Sequence, residues 1–323
     1  MRAPNRPPSA PFVVEGPQIG PHIGPHIGPG IRLHLRSGTA IRRRIERVVH
    51  HGRDPWHAGV MIRLVPSTDS TQTDLLAALA ADGADWGHLS GIHAVHQRAG
   101  RGRLDRAWDT DLVRALTASV VLRPGDEATW GGLGLLTGVA VVRALADLAP
   151  GVDAGLKWPN DVIVPDAAPS DRTEGSAPGW AGIAKIGGIL GSVATDSTGA
   201  RAAVVGIGVN LDGTVPIPWA ATVRSAGGDG VLEAADLLTA ILGHLGELVP
   251  EGEPVRGVGE AVAPLCRTLG EPVRVVTARD AEATTGTAER IDPDGALVVR
   301  TRSGEQRFLA GDVFHIRSEA PLA

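Results

Sequence analysis

Apolar positions along the chain follow two rhythms, one near 3.6 residues and one near two, and most segments can be assigned to one of them. Ile41, Ile45, Val48 and Val49 recur at helical spacing, with Arg42, Arg43, Arg44 and Arg47 on other faces, which predicts a helix from about Thr39 with a solvated basic side. Residues 60–65 read as a strand and residues 67–71 as a turn. Thr71 with Asp74 then reads as a capping box for a helix carrying Leu75, Leu76 and Leu79. Strands are predicted at 92–96 and 116–122, with a Gly- and Arg-rich loop between them. Residues 130–148 are almost wholly apolar and predict a buried helix. Short strand pieces at 156–158 and 162–164 are interrupted by Pro159-Asn160. Strands at 185–193 and 202–209 and an amphipathic helix at 231–249 follow.

The ends of the chain differ in character. Residues 19–30 repeat an Ile-Gly-Pro-His unit, and the recurring proline blocks helix and ladder alike, so 1–37 read as a flexible Pro/Gly-rich tail. His22, His26 and His34 lie in or next to this repeat without a carboxylate or cysteine partner and read as incidental. Residues 165–182, rich in Pro, Gly, Ser and Asp, read as a surface insertion. In the last fifty residues, five short strands at 273–276, 283–291, 296–300, 306–309 and 313–316 are split by turns at 292–295 and 302–304. They predict a small barrel distinct from the α/β (α+β) part before it. The expected division is a tail at 1–37, a mixed-sheet domain at 38–269 and the barrel at 270–318.

Composition narrows the function classes. The formal charge of −5 argues against a chain that wraps nucleic acid. No apolar run is read as long enough to span a bilayer, and no signal h-region is seen. A single cysteine, Cys266, excludes an internal disulfide framework and fits a reducing compartment, the cytoplasm. Within 31 basic residues only Lys157 and Lys185 are lysine, and asparagine occurs only at 5, 160 and 210. Where arginine has replaced lysine almost everywhere, a surviving lysine marks a place that needs a compact point charge.

Three clusters carry candidate chemistry. Gln97 through Arg103 alternates glycine with arginine, which lets backbone approach a ligand while guanidinium groups reach carboxylate or phosphate oxygens. Such repeats also occur in disordered RNA-binding segments, but the flanking strands and acidic charge weigh against that. Lys157-Trp158-Pro159-Asn160-Asp161 puts a cation at a rigid strand end. Its Asn and Asp either fix water, magnesium or backbone, or simply cap the turn. Lys185 through Leu190, with Gly206 through Asn210, places paired glycines inside apolar strands, a sign of close approach by a ligand or another backbone. Neither glycine pair has the spacing of a P-loop or dinucleotide fold.

Taken in order, Ser70-Thr71, Gln97–Arg103, Lys157–Asp161, Lys185–Leu190 and Gly206–Asn210 resemble the motifs of biotin–protein ligases across about residues 39–318. The resemblance implies a mixed-sheet biotin/lipoate-ligase-like catalytic domain followed by an SH3-like barrel. It implies a two-step reaction: ATP activates biotin as biotinyl-5′-AMP, and the acyl group passes to one lysine of a biotin carboxyl carrier domain of an acyl-CoA carboxylase. By matching position, Ser70, Thr71, Gln72, Gln97, Arg101, Gly102, Arg103, Lys157 and Gly188 resemble the biotin-binding set. Arg101, Arg103, Trp108, Asn160, Lys185 and Asn210 resemble the ATP-binding set. Lys157 and Arg103 resemble the catalytic pair. The implied substrates are ATP and biotin with Mg2+, for which no ligand set is assigned beyond the vicinity of Asp161.

Departures from the family pattern are Gln72 in place of asparagine, His96 before Gln97, and Asp105 in place of glycine. The 165–182 insertion is also longer than the family shows. The implied alternatives are a lipoate or octanoate ligase or transferase of the same fold, and a biotin-responsive DNA-binding repressor. Residues 1–60 offer one predicted helix rather than the three-helix pattern a repressor needs, so no specific nucleic acid and no membrane is expected, and a monomer or homodimer is.

Overall fold

The computed structural model describes residues 47–50, 60–103, 106–108, 110, 112–165, 180, 182–277 and 283–315. Its strands are β1 (Arg47–His50), β2 (Met61–Thr68), β3 (Gly91–Gln97), β4 (Gly100–Arg101), β5 (Ala107–Trp108), β6 (Val113–Leu122), β7 (Gly155–Lys157), β8 (Asp161–Pro165), β9 (Ile183–Thr195) and β10 (Arg201–Gly213). Strands β11 (Pro272–Val276), β12 (Thr284–Ile291), β13 (Leu297–Thr301), β14 (Gly304–Phe308) and β15 (Asp312–His315) follow. The helices are α1 (Thr71–Asp82), α2 (Leu133–Leu148), α3 (Ala234–Leu248) and α4 (Val258–Val262).

Eight strands form one mixed sheet in the order β1-β2-β3-β6-β10-β9-β8-β7, antiparallel except for the parallel β2–β3 pair. Alternation along the strands separates its two faces. Ala203, Val205 and Ile207 of β10 join Leu116, Ala118 and Val120 of β6 in the larger core, which α2 and α3 cover. Ala202 and Val204, with Val121, face the other way onto Leu75 and Leu79 of α1 and Trp86. Past Val204 the same face of β10 continues as Gly206, Gly208 and Asn210. Apolar bulk gives way there to small and polar residues. That change of composition within one strand opens the site.

The five C-terminal strands form an antiparallel sheet in the order β14-β13-β12-β11-β15. Val273, Val275, Leu297, Val299, Phe308 and Val313 are buried and continuous with the larger core. This C-terminal β unit therefore packs as part of the body of the protein. The segment 266–268 docks it to β7: Cys266 bridges Leu156, and the Arg267 amide donates to the Leu156 carbonyl at 2.8 Å.

Four expectations change. The predicted helix from Thr39 is, where described, strand β1, which pairs with β2 and satisfies the backbone groups of that edge. The N-cap of α1 is Ser70, whose Oγ accepts from the Thr73 amide at 3.4 Å. Asp74 instead accepts from Thr68 Oγ1, so no Thr71–Asp74 capping box forms. The helix predicted from residue 130 starts at Leu133, after a 3-10 turn Glu127–Gly132 capped by Asp126. That helical stretch, Glu127–Leu148, is long and apolar enough to cross a membrane by composition, contrary to the sequence reading, but its apolar window is 67% buried inside the fold. The 1–37 tail, Asp105 and residues 166–179 lie outside the described residues.

Candidate active site

A cavity of about 400 Å³ lies on the face where β10 turns glycine-rich. It is lined by every residue that the resemblance assigns to biotin, ATP or catalysis, and by Asp161: Ser70, Thr71, Gln72, Gln97, Arg101, Gly102, Arg103, Trp108, Lys157, Asn160, Asp161, Lys185, Gly188 and Asn210. Residues two apart on a strand are about 7 Å apart along it. Gly206, Gly208 and Asn210 therefore mark out a floor, and the side chains around it differ in charge.

Part of the lining is neutral and rich in hydrogen-bonding groups. Gln97, from the end of β3, accepts at Oε1 from the Thr71 amide at 2.8 Å and from Thr71 Oγ1 at 3.1 Å. Thr71 Oγ1 is also 2.9 Å from Ser119 Oγ. Gln72 bridges the sheet from α1: its Nε2 donates to the Val204 carbonyl at 3.1 Å and Ser192 Oγ at 3.2 Å, and its Oε1 accepts from Ser119 Oγ at 3.1 Å. The extra methylene relative to asparagine lets it reach these strands. Gly206 is what makes room, since a Cβ there would lie 2.7 Å from Gln72 Oε1. Gln72 thus lines the cavity with its amide committed to the protein.

Much of the remaining lining is cationic. Among the described lining residues, Arg101, Arg103, Arg106, Lys157 and Lys185 face only two carboxylates, Asp161 and Asp312. Both carboxylates are paired. Lys185 Nζ lies 2.5 Å from Asp161 Oδ1, and Arg106 Nη2 lies 2.6 Å from Asp312 Oδ2. The surplus of positive charge around a semi-enclosed cavity suits a polyanion.

Lys157 is 5% exposed, at the end of β7 beside a cis Trp158–Pro159 bond. Its Nζ donates to the Val313 carbonyl at 2.6 Å and stands 4.5 Å from the ring centroid of Trp180. Burial brings its pKa down to about 8, against the opposing pull of Asp161. Arg103 donates to Asn160 Oδ1 at 3.0 Å and to the Gly311 carbonyl at 3.3 Å, tying the Gly-Arg loop to the lysine hairpin and to the C-terminal unit. Asn160 also donates to the Ile189 carbonyl, and Asn210 donates to the Ala221 carbonyl. Trp108 packs against the floor: a Cβ at Gly208 would come within 2.7 Å of its indole, and one at Gly188 within 3.5 Å.

Other contributors were not singled out from the sequence. Ser119, Trp180, Trp219, Asp312, Val313 and Phe314 line the same cavity. His96 makes a 3.4 Å contact with Thr110 Oγ1, which in turn donates to the Gln97 carbonyl, so its effect on the site is indirect. Asp161, expected nearest to magnesium, has Oδ1 in the Lys185 pair. Among the described residues no group of three His, Cys, Asp or Glu side chains converges on a metal position.

Comparison with known proteins identifies the family. Residues 64–210 match the model of the biotin/lipoate A/B protein ligase family, and residues 268–316 match the biotin protein ligase C-terminal domain. The chain is 32% identical over 266 residues to the biotin--[acetyl-CoA-carboxylase] ligase of Mycobacterium tuberculosis, covering 79% of this chain and 88% of that one. The enzyme of the same name from Paracoccus denitrificans is 31% identical over 275 residues, covering 78% and 99%. A biotin protein ligase from Aquifex aeolicus, solved with biotin and ATP, shares the fold with a TM-score of 0.60 at 24% identity, covering 80% of this chain and 99% of that one. On the strength of relatives that align over most of both chains, the chain belongs to the biotin protein ligase family.

Proposed function

We propose that this protein is a biotin--[acetyl-CoA-carboxylase] ligase: it joins biotin to ATP as biotinyl-5′-AMP and transfers the biotinyl group to a lysine of a carboxyl carrier domain. The observation that carries the reading is one cavity lined by both a neutral hydrogen-bonding group and a cluster of cations. The neutral group built on Thr71 and Gln97 suits a ring with amide-like donors and acceptors. Across the sheet, in register with Gly208 through Gly188 and Asp161, Lys157 stands among the cations of the lining and suits a carboxylate meeting a triphosphate.

In the first step a carboxylate oxygen of biotin attacks the α-phosphorus and pyrophosphate leaves. The step brings anions together, so the chain's part is to hold them in line and offset their charge. In this reading Lys157 touches both the carboxylate and the α-phosphate, supported by its burial in the cavity lining. Its low exposure means that little water competes for its protons. Arg103, braced by Asn160 and Gly311, restrains the adenylate. Trp108 walls the adenine, with Lys185 and Asn210 on the nucleotide side and Ser70, Thr71, Gln97, Arg101, Gly102 and Gly188 around biotin. In the second step the neutral amine of the acceptor lysine attacks the acyl carbon, AMP leaves with the bond electrons, and the amine's proton passes to solvent or to AMP. No enzyme nucleophile is needed; Cys266 is buried, and burial raises its pKa.

Magnesium belongs to this reading as the ion that ATP carries, and it supplies charge neutralisation on the phosphates. The two cavity carboxylates are engaged by Lys185 and Arg106, so phosphate oxygens and water are its natural ligands. The reading places the enzyme in the cytoplasm. Its test is transfer itself. Protein, ATP, Mg2+, biotin and a carrier domain should give a carrier heavier by one biotinyl group on one lysine, and an unmodified carrier would reject the reading.

A further inference from the structure

The two lysines of the chain each face a tryptophan, but in different ways. Lys185 is 5.8 Å from the Trp108 centroid and has a carboxylate partner in Asp161. Among the described residues Lys157 has none: its Nζ meets a carbonyl oxygen, that of Val313, and the face of Trp180. Trp180 stands at the foot of β9, three residues before its first residue. The Ile183 amide donates to the Trp180 carbonyl at 3.3 Å, and Ile183 pairs with Pro165 at the end of β8. The half-buried ring therefore has a fixed root and lines the cavity. It belongs to the segment 165–182 that the sequence reads as an insertion, outside all the motifs that mark the family resemblance.

We infer that Trp180 is a positioning residue for the activating lysine: its indole face holds the Lys157 ammonium at the reacting centre while excluding water from it. An aromatic face is a cation partner that does not neutralise the charge. A carboxylate in its place would compete with the incoming anions, and water would dilute the field of the ammonium. The ring does neither, so the full charge remains available to a carboxylate and a phosphate. The inference rests on reading Lys157 as the lysine that activates biotin.

Trp180→Phe keeps an aromatic face, whereas Trp180→Leu keeps apolar bulk without one. In biotin-dependent ATP–pyrophosphate exchange, Trp180→Phe should stay within about twofold of the parent. Trp180→Leu should lose about tenfold in kcat with a smaller change in KM for biotin. Leucine still desolvates Lys157 but no longer favours its charged form, so the alkaline limb of kcat/KM should move about one unit lower, the same factor of ten. The other charged and titratable groups around Lys157 are Asp161 on β8, Lys185 on β9, Asp312 and His315 on β15, and Arg106 beside β5. The two variants share all of these.

A second readout needs no substrate. With only two lysines, protein labelled at lysine 13Cε gives two resonances that can be titrated. The Lys157 signal should carry a ring-current shift in the parent and Trp180→Phe, and lose it in Trp180→Leu with a lower apparent pKa. Equal behaviour of the two variants in both measurements would overturn the inference. Loss of the ring-current shift in a protein that fails to adenylate biotin would reject the proposed function and leave the Trp180 placement standing.

Discussion

Lys185 Nζ and Asp161 Oδ1 stand 2.5 Å apart with side chains 25% and 12% exposed, and the same carboxylate charge also acts on Lys157. Asp161 thus serves two cations at once, one by contact and one through space. Burial lowers the Lys157 pKa to about 8 and Asp161 opposes that fall, so removing the carboxylate lowers it further. The ammonium is the form that binds anions and is lost as pH rises through its pKa. Activity of the parent on kcat/KM should therefore fall above about pH 8. In Asp161→Asn the fall should begin at lower pH, measured by exchange rates across pH 6.5–9.5.

Lys157→Arg should reduce adenylation by about 100-fold or more, the scale for losing a preorganised charge donor at a reacting centre. The ammonium sits 2.6 Å from the Val313 carbonyl and 4.5 Å from the Trp180 centroid, and the longer, delocalised guanidinium does not put a compact point charge at that place. Arg→Lys changes at exposed positions such as Arg256 should leave exchange near the parental rate.

Gly208→Ala should raise KM for ATP about tenfold with a smaller effect on KM for biotin, because the new Cβ would meet the Trp108 indole at 2.7 Å. The ring must then leave the floor, which removes a wall of the nucleotide side. Steady-state kinetics with each substrate varied in turn separates the two effects.

Stability should fall in mild acid. Burial lowers His93 to about 4, and burial with the Lys157 charge lowers His315 to about 4, against 6.5 in the unfolded chain. Between pH 6.5 and 4 the unfolded chain takes up protons that the folded chain does not, so stability drops as pH falls through that window, by up to about 3 kcal/mol for each group. Urea midpoints at pH 7 and 4.5 should show the loss, and His93→Gln should make it shallower.

The parts of the site legible in the sequence were those in which a side chain is itself the signal. Lys157, Lys185, Asn160 and Asn210 stood out because their residue types are scarce, and Gly206, Gly208 and Gly188 because apolar strands rarely contain paired glycines. Contacts made by backbone were silent. Nothing in Gly311 or Val313 announces that their carbonyls hold Arg103 and Lys157, and those bonds span 208 and 156 residues. Ser119 read as one more position in an apolar strand, yet it bonds Thr71 and Gln72 across the sheet. Trp180 was hidden within a segment read only for its proline, glycine and serine. Around Val48 and Val49 the apolar spacing fitted a helix, and pairing with the open edge of β2 prevailed over the local pattern.

The proposed activity is tested most directly by exchange of labelled pyrophosphate into ATP with biotin or lipoate as the acid. Biotin should support exchange at micromolar concentrations and lipoate should not, with the activity lost in Lys157→Arg. Exchange supported by lipoate and not by biotin, or exchange with biotin undiminished by Lys157→Arg, would contradict the account.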